Sequence, residues 1–184
     1  GGGLGEVYRN ETPPDHAAYA RAVKDANAGT GFGLILEPGR WLVADAGALL
    51  ARVVYVKRGS AKRFAILDAA MNELIRPTLY EAWMNIEPVT LRKGAKRAYD
   101  VVGPVCESGD YFAHDRDLAP LEAGDLVAIR QAGAYGSVMS STYNARPLAP
   151  ELLVRKGKVA VVRPRQSLGE LIGADRLAPW QSRK

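Results

Sequence analysis

Leu34-Ile35-Leu36-Glu37-Pro38-Gly39-Arg40 is the stretch on which the reading of the fold turns. Three apolar residues run into a Pro-Gly turn, the pattern of a short buried strand that closes in a loop. Upstream, Asp15 to Ala28 places Ala17, Ala18, Ala22, Val23 and Ala26 at roughly helical spacing. Asp15 can cap that helix and Gly29 can stop it. Downstream, Trp41 to Val54 is rich in Ala and Leu and is predicted to be a second helix. Gly1-Gly2-Gly3-Leu4-Gly5 opens the chain as a loop. Loop, helix, strand, loop, helix is the rhythm of an α/β barrel or a doubly wound sheet. A strand as apolar as residues 34–36 needs parallel neighbours and covering helices. Residues 1–50 are therefore expected to be the last two units of a larger barrel, completed by a missing N-terminal portion.

From about residue 51 to residue 184 the pattern changes to short β runs between turns, a separate C-terminal β domain. Val53 to Lys57 and Arg63 to Ala69 flank a Gly-Ser turn and are predicted to pair as a hairpin. Further apolar runs around Pro88, Val101, Val127, Val154 and Val161 follow at short intervals. Such spacing predicts an antiparallel barrel or sandwich. Asn72 to Tyr80 is predicted to be irregular, because Pro77 blocks a continuing helix. Ser167 to Gly173 reads as a short helix.

Composition narrows the function classes. The chain has 184 residues, a net charge of +5 and 47% hydrophobic residues, within the range of ordinary globular proteins. Its basic residues gather around glycines between apolar runs, as at Lys57, Arg58, Lys62 and Arg63. That arrangement reads as solvated hairpin tips rather than a nucleic-acid surface. No apolar run approaches the ~20 residues of a membrane span. One Cys excludes an internal disulfide framework, and with two His it leaves too few ligands for a typical structural zinc site. A reducing cytoplasm is the expected compartment.

Several clusters carry chemistry. Gly1, Gly2 and Gly3 let backbone N–H groups converge on an anion such as a phosphate, although a flexible turn accounts equally for the glycines. Glu37 and Arg40 fall at the C-terminal end of the expected strand, the face on which (β/α)8 barrels build their sites. A carboxylate there can hold a protonated ring nitrogen, and a guanidinium can clamp an anion. Cys106 and Glu107 pair a thiol with a carboxylate, a proton source beside an ammonium site; a buried small Cys is the plainer reading. Tyr135 lies between small residues, from where its hydroxyl can reach a phosphate or simply pack. Arg76 and Tyr80 present a guanidinium suited to bidentate carboxylate binding, with a surface role the alternative. His16 and His114 stand alone.

The order of these clusters says more than any one of them. GGGLG, EPGR, RPTLY, CESGD, then GAYG-SVMSSTYN-RP resembles the fold-type III pyridoxal-phosphate-dependent decarboxylases of ornithine, arginine and diaminopimelate. Their barrel is of the alanine-racemase type. The resemblance runs from Gly1 to about Arg165, and RPTLYEAWMNI and CESGDYFAHDRDL look most like the branch acting on diaminopimelate. It implies removal of the carboxylate at the D-centre of meso-diaminopimelate to give L-lysine. It also implies a pyridoxal 5'-phosphate cofactor held by Gly1, Gly2, Gly3, Glu37, Arg40 and Tyr135. Glu37 would face the pyridine nitrogen, and Arg40 would meet phosphate or substrate carboxylate. Arg76 and Tyr80 would bind the distal carboxylate, Cys106 would reprotonate the α-carbon, and Glu107 would meet the distal amino group. In this family the Cys–Glu segment reaches the neighbouring subunit's site, so a homodimer with shared sites is implied.

One departure is plain. The family's Schiff-base Lys lies upstream of its GGG loop and has no counterpart here, which implies that this segment alone is inactive. A decarboxylase of another basic amino acid or of carboxynorspermidine, and a non-catalytic homologue, stay open at this stage.

Overall fold

A ten-residue strand, β1 (Leu49–Arg58), organises the computed structural model, which describes residues 2–181. Its first half pairs antiparallel with β6 (Leu126–Ile129), Leu49 opposite Ile129 and Arg52 opposite Leu126. Its second half pairs antiparallel with β2 (Arg63–Leu67), Arg58 opposite Arg63. The expected hairpin is therefore present, closed by the Gly59 amide donating to the Lys62 carbonyl at 2.8 Å. Adding β3 (Ile86–Pro88), β4 (Arg97–Val102) and β5 (Tyr111–Leu118) gives a six-stranded sheet in the order β3-β6-β1-β2-β4-β5. It is nearly closed and barrel-like.

The inner face holds Val53, Leu67, Leu74, Met84, Tyr99, Val101, Phe112, Val127 and Ile129, all at most 1% exposed. Tyr99 brings a hydroxyl into this core and satisfies it by accepting from the Leu121 amide at 3.1 Å. At about 25 cal/mol per Å2 of apolar surface, side chains of this size supply the main driving force for the sheet.

Four expectations need correction. The sheet is not purely antiparallel: β2 and β4 run parallel, Phe64 opposite Asp100 and Ile66 opposite Val102. Residues 34–36 are not a strand; Ile35 is 89% exposed and Leu34 49%. A strand exists only through its ladder, and no strand among the described residues pairs with this one. The expected helix from Trp41 to Val54 is only one short turn, α2 (Gly39–Val43), before β1 begins. Val53, Val54 and Val56 favour the strand, and partners on both flanks decide the matter. Asn72 to Tyr80 is not wholly irregular: Arg76–Tyr80 forms α3, with Pro77 in the first turn, where a missing N–H costs nothing.

Outside the sheet, α1 (His16–Asn27) matches the expectation. The Asp15 carboxylate caps it by accepting from the Ala18 amide at 2.9 Å, and Ala28 ends it before Gly29. β7 (Glu151–Arg155) and β8 (Lys158–Arg163) make a separate two-stranded hairpin. α4 (Leu168–Gly173) carries a full capping box between Ser167 and Glu170. No helix among the described residues is long and apolar enough to cross a membrane.

Candidate active site

The loops that follow GGG and EPGR lie against each other. A Cβ on Gly2 would stand 2.6 Å from the Pro38 Cα, so the close approach requires a glycine. Gly3 takes φ +65°, a left-handed conformation that glycine adopts without strain. The Tyr19 hydroxyl of α1 donates to the Gly2 carbonyl, and Arg40 donates to the Leu4 carbonyl at 3.5 Å. Gly1 lies outside the described residues. Glu37 ends the extended segment just before α2 and is engaged in an interaction there.

The C-terminal end of α2 connects this corner to the sheet domain. The Ala132 amide donates to the Gly47 carbonyl at 2.9 Å, and the Gly133 amide to the Ala44 carbonyl at 3.1 Å. Directly beyond this clamp, Tyr135 adopts φ +59° and is 45% exposed. A positive φ on a bulky residue is uncommon and marks a backbone fixed by its surroundings. The clamp and Gly136, whose Cβ would strike the Ala132 carbonyl, are those surroundings.

Arg76, at the first position of α3, is 8% exposed. Its guanidinium lies 4.7 Å from the Tyr8 ring centroid and 5.9 Å from that of Tyr135. Both rings offer cation–π stabilisation to a charge that has left water. The guanidinium also reaches the Met84 sulfur at 3.8 Å. A surface role for Arg76 is thereby excluded. Tyr80, one turn on, is 61% exposed.

The loop holding Cys106 and Glu107 is bound to the same helix. The Thr78 hydroxyl donates to the Gly109 carbonyl, and a Cβ on Gly109 would sit 2.9 Å from the Thr78 methyl. Glu107 accepts from the Gly109 amide at 3.2 Å and from the Tyr143 hydroxyl at 3.3 Å. Cys106 is exposed, so its thiol is not the small buried hydrophobe that its apolar neighbours suggested. Beneath the loop lies Asp110, 4% exposed; burial pushes its carboxyl above the ordinary range, against the pull of two amides that hydrogen-bond to it.

Every candidate among the described residues thus belongs to one connected set. GGG and EPGR form one corner, the Gly47–Gly133 clamp joins it to Tyr135, Arg76 joins Tyr135 to α3, and Thr78 joins α3 to the Cys106 loop. Sequence reasoning passed over Tyr8, Thr78 and Tyr143, which make these junctions. Thr78 and Tyr143 lie inside the RPTLY and SVMSSTYN motifs, whereas nothing in the local pattern around Tyr8 separates it from a packing residue. The arrangement offers glycine-lined backbone for an anion, two guanidiniums for carboxylate or phosphate, a carboxylate on the loop before α2, and an exposed thiol beside a second carboxylate.

Comparison with known proteins bears on this set as a whole. Residues 15–133 match the family described as pyridoxal-dependent decarboxylase, C-terminal sheet domain. A diaminopimelate decarboxylase of Pseudomonas aeruginosa is 53% identical over 179 residues, covering 97% of this chain and 43% of that protein. One from Vibrio cholerae is 48% identical over 180 residues, with the same coverage of 97% and 43%. Among solved structures, diaminopimelate decarboxylase from Helicobacter pylori complexed with L-lysine superposes with a TM-score of 0.87 at 43% identity. That match covers 94% of this chain and 43% of the other. The chain therefore spans less than half the length of the relatives that it matches.

Proposed function

The chain belongs to the pyridoxal-dependent decarboxylase family, and from that premise we propose that the whole protein removes one carboxylate of meso-diaminopimelate to give L-lysine and CO2. The observation that carries the reading is the joining of GGG, EPGR, RPTLY, CESGD and GAYG into one set, in a chain about half identical to diaminopimelate decarboxylases. Residues 1–50 are read as the end of a cofactor-binding (β/α)8 barrel and 51–184 as the β domain. The cytoplasm is the proposed compartment, resting on the single Cys. The partner is a second copy of the chain, with sites shared between subunits.

The residues present fit pyridoxal 5'-phosphate. Gly2 packs against Pro38 so closely that the GGG and EPGR loops share one corner, and Gly3 takes a left-handed conformation there. Gly1, Gly2 and Gly3 would hold the phosphate together with Arg40 and the Tyr135 hydroxyl. The bound cofactor supplies an electron sink for the charge left at the α-carbon when CO2 departs. Glu37 would keep the pyridine nitrogen protonated, since a carboxylate beside that nitrogen favours its charged form. Arg76 and Tyr80 orient the distal carboxylate of the substrate, and Glu107 receives the distal ammonium. The Cys106 thiol would supply the proton for the α-carbon in the neighbouring subunit's site. Without the Schiff-base Lys, the 184 residues alone are expected to be inactive.

The test is production of lysine and CO2 by the full-length holoenzyme. Turnover of diaminopimelate and none of ornithine or arginine supports the reading. The reverse preference overturns the substrate assignment, and no turnover of any of these overturns the enzyme assignment.

A further inference from the structure

The loop bearing Cys106 and Glu107 is fixed from below by one buried carboxylate, which the proposed chemistry does not use. Asp110 Oδ1 accepts from the Met71 amide at 2.7 Å, and Oδ2 accepts from the Val105 amide, also at 2.7 Å. Val105 directly precedes Cys106, and Met71 lies five residues before Arg76. One side chain therefore fastens the start of the thiol loop to the segment leading into α3. The backbone of Asp110 closes the same loop: its amide donates to the Glu107 carbonyl at 3.0 Å, and its carbonyl accepts from the Gly103 amide at 3.1 Å. A Cβ on Gly103 would collide with this carboxylate and stand 2.6 Å from its Cγ, so a glycine is what admits it.

A second junction uses the same base. Asn72, 3% exposed, exchanges two hydrogen bonds with Ser141: the Ser141 amide donates to its carbonyl at 2.9 Å, and its side-chain amide donates to the Ser141 carbonyl at 3.2 Å. Two residues on, Tyr143 holds Glu107 from the outer side. Met71 and Asn72 thus anchor two of the supports of the Cys106–Glu107 loop, beside the Thr78 hydrogen bond to Gly109. Burial opposes ionisation of the Asp110 carboxyl, while the two amides and Arg146 favour it.

We propose that Asp110 is a positioning residue: by bridging the Met71 and Val105 amides it sets where the Cys106 thiol and the Glu107 carboxylate stand on the face that they present to the neighbouring subunit. The proposal rests on the decarboxylase reading for its consequence, but not for its geometry. A displacement of about 1 Å at a reacting group can cost on the order of a hundredfold in rate.

The experiment uses the full-length holoenzyme and its Asp110→Asn, Cys106→Ser and doubly substituted forms. Asp110→Asn keeps the shape but can no longer accept from both amides. Expected are a fall in kcat of about tenfold or more in the parent and of less than about twofold in the Cys106→Ser background, the non-additivity of groups acting through one another. Alkylation of Cys106 by iodoacetamide, followed by peptide mass spectrometry, should change rate severalfold while cofactor absorbance is retained. Equal losses of kcat in both backgrounds, or an unchanged alkylation rate, would overturn the proposal. Should Asp110→Asn fail to fold, hydrogen exchange in the unsubstituted protein decides: Met71 and Val105 amides are expected to be strongly protected, and exchange as fast as at exposed Lys93 overturns it. Alkylation and exchange read the loop without the reaction, so their failure is distinct from an absence of lysine production by the unsubstituted enzyme, which sinks the decarboxylase reading instead.

Discussion

Gly47 and Gly133 pack backbone against backbone, so closely that a Cβ on Gly47 would lie 2.5 Å from the Gly133 Cα. A Cβ on Gly133 would in turn strike the Val43 carbonyl and stand 2.9 Å from the Gly47 nitrogen. The contact joins the end of α2, which carries Arg40, to the loop that carries Tyr135. It is what makes two distant sequence motifs parts of one rigid corner.

Gly133→Ala is expected to destabilise the protein by roughly 1–3 kcal/mol, the usual cost of forcing atoms into a filled space. Neighbouring backbone, unlike a flexible side chain, cannot swing aside. Thermal unfolding of the variant should show a lowered Tm. An unchanged Tm would show that the two segments separate freely.

Arg76→Ala should raise KM for diaminopimelate about tenfold, through loss of the proposed bidentate carboxylate partner. Arg76→Lys should not restore it, because the planar guanidinium faces Tyr8 at 4.7 Å and an ammonium cannot stack in the same way. Steady-state kinetics of the full-length enzyme check both. A Lys variant with normal KM would remove Arg76 from the proposed substrate site.

Glu37→Gln should lower kcat about a hundredfold or more while leaving KM nearly constant, if the carboxylate has the proposed role of holding a proton on the ring during the chemical step. Lysine formation at saturating substrate is the measurement. Retention of full activity would end the electron-sink argument for this residue.

Asp100 predicts a particular pH dependence of stability. Burial opposes its ionisation, but the Lys62 ammonium at 2.8 Å, the Asp115 amide and His114 outweigh burial and hold the carboxyl below its usual range. A carboxyl lowered in the folded state contributes stability above its unfolded value of about 3.9, and that contribution is lost as pH falls through the folded value. Asp100→Asn should therefore lower Tm at pH 7 and leave a shallower decline on acidification. Parallel acid limbs for parent and variant would show that Asp100 has no part in acid unfolding.

Legibility in the sequence differed by element. Asp15 and Gly29 announced the ends of α1 because capping depends on groups a few residues apart. The Gly59 hairpin was legible for the same reason. β5 gave no signal: its His114-Asp115-Arg116-Asp117 run is polar, and Asp115 interrupts it at φ +45°. It is a strand because β4 supplies its ladder. Residues 34–36 fail in the opposite direction, with strand composition and no paired neighbour.

What the sequence determined by itself was the set of chemical groups and their order along the chain: glycines, Glu37, Arg40, Arg76, Cys106, Glu107 and Tyr135. It also determined the local turns and caps. Only the tertiary structure decided that Arg76 is buried between two tyrosines, that Gly47 meets Gly133, and that Asp110 spans Met71 and Val105. The physical reason is range. Caps and turns are fixed by hydrogen bonds between near neighbours, whereas these three relationships join segments tens of residues apart, through burial and close packing that no local pattern encodes.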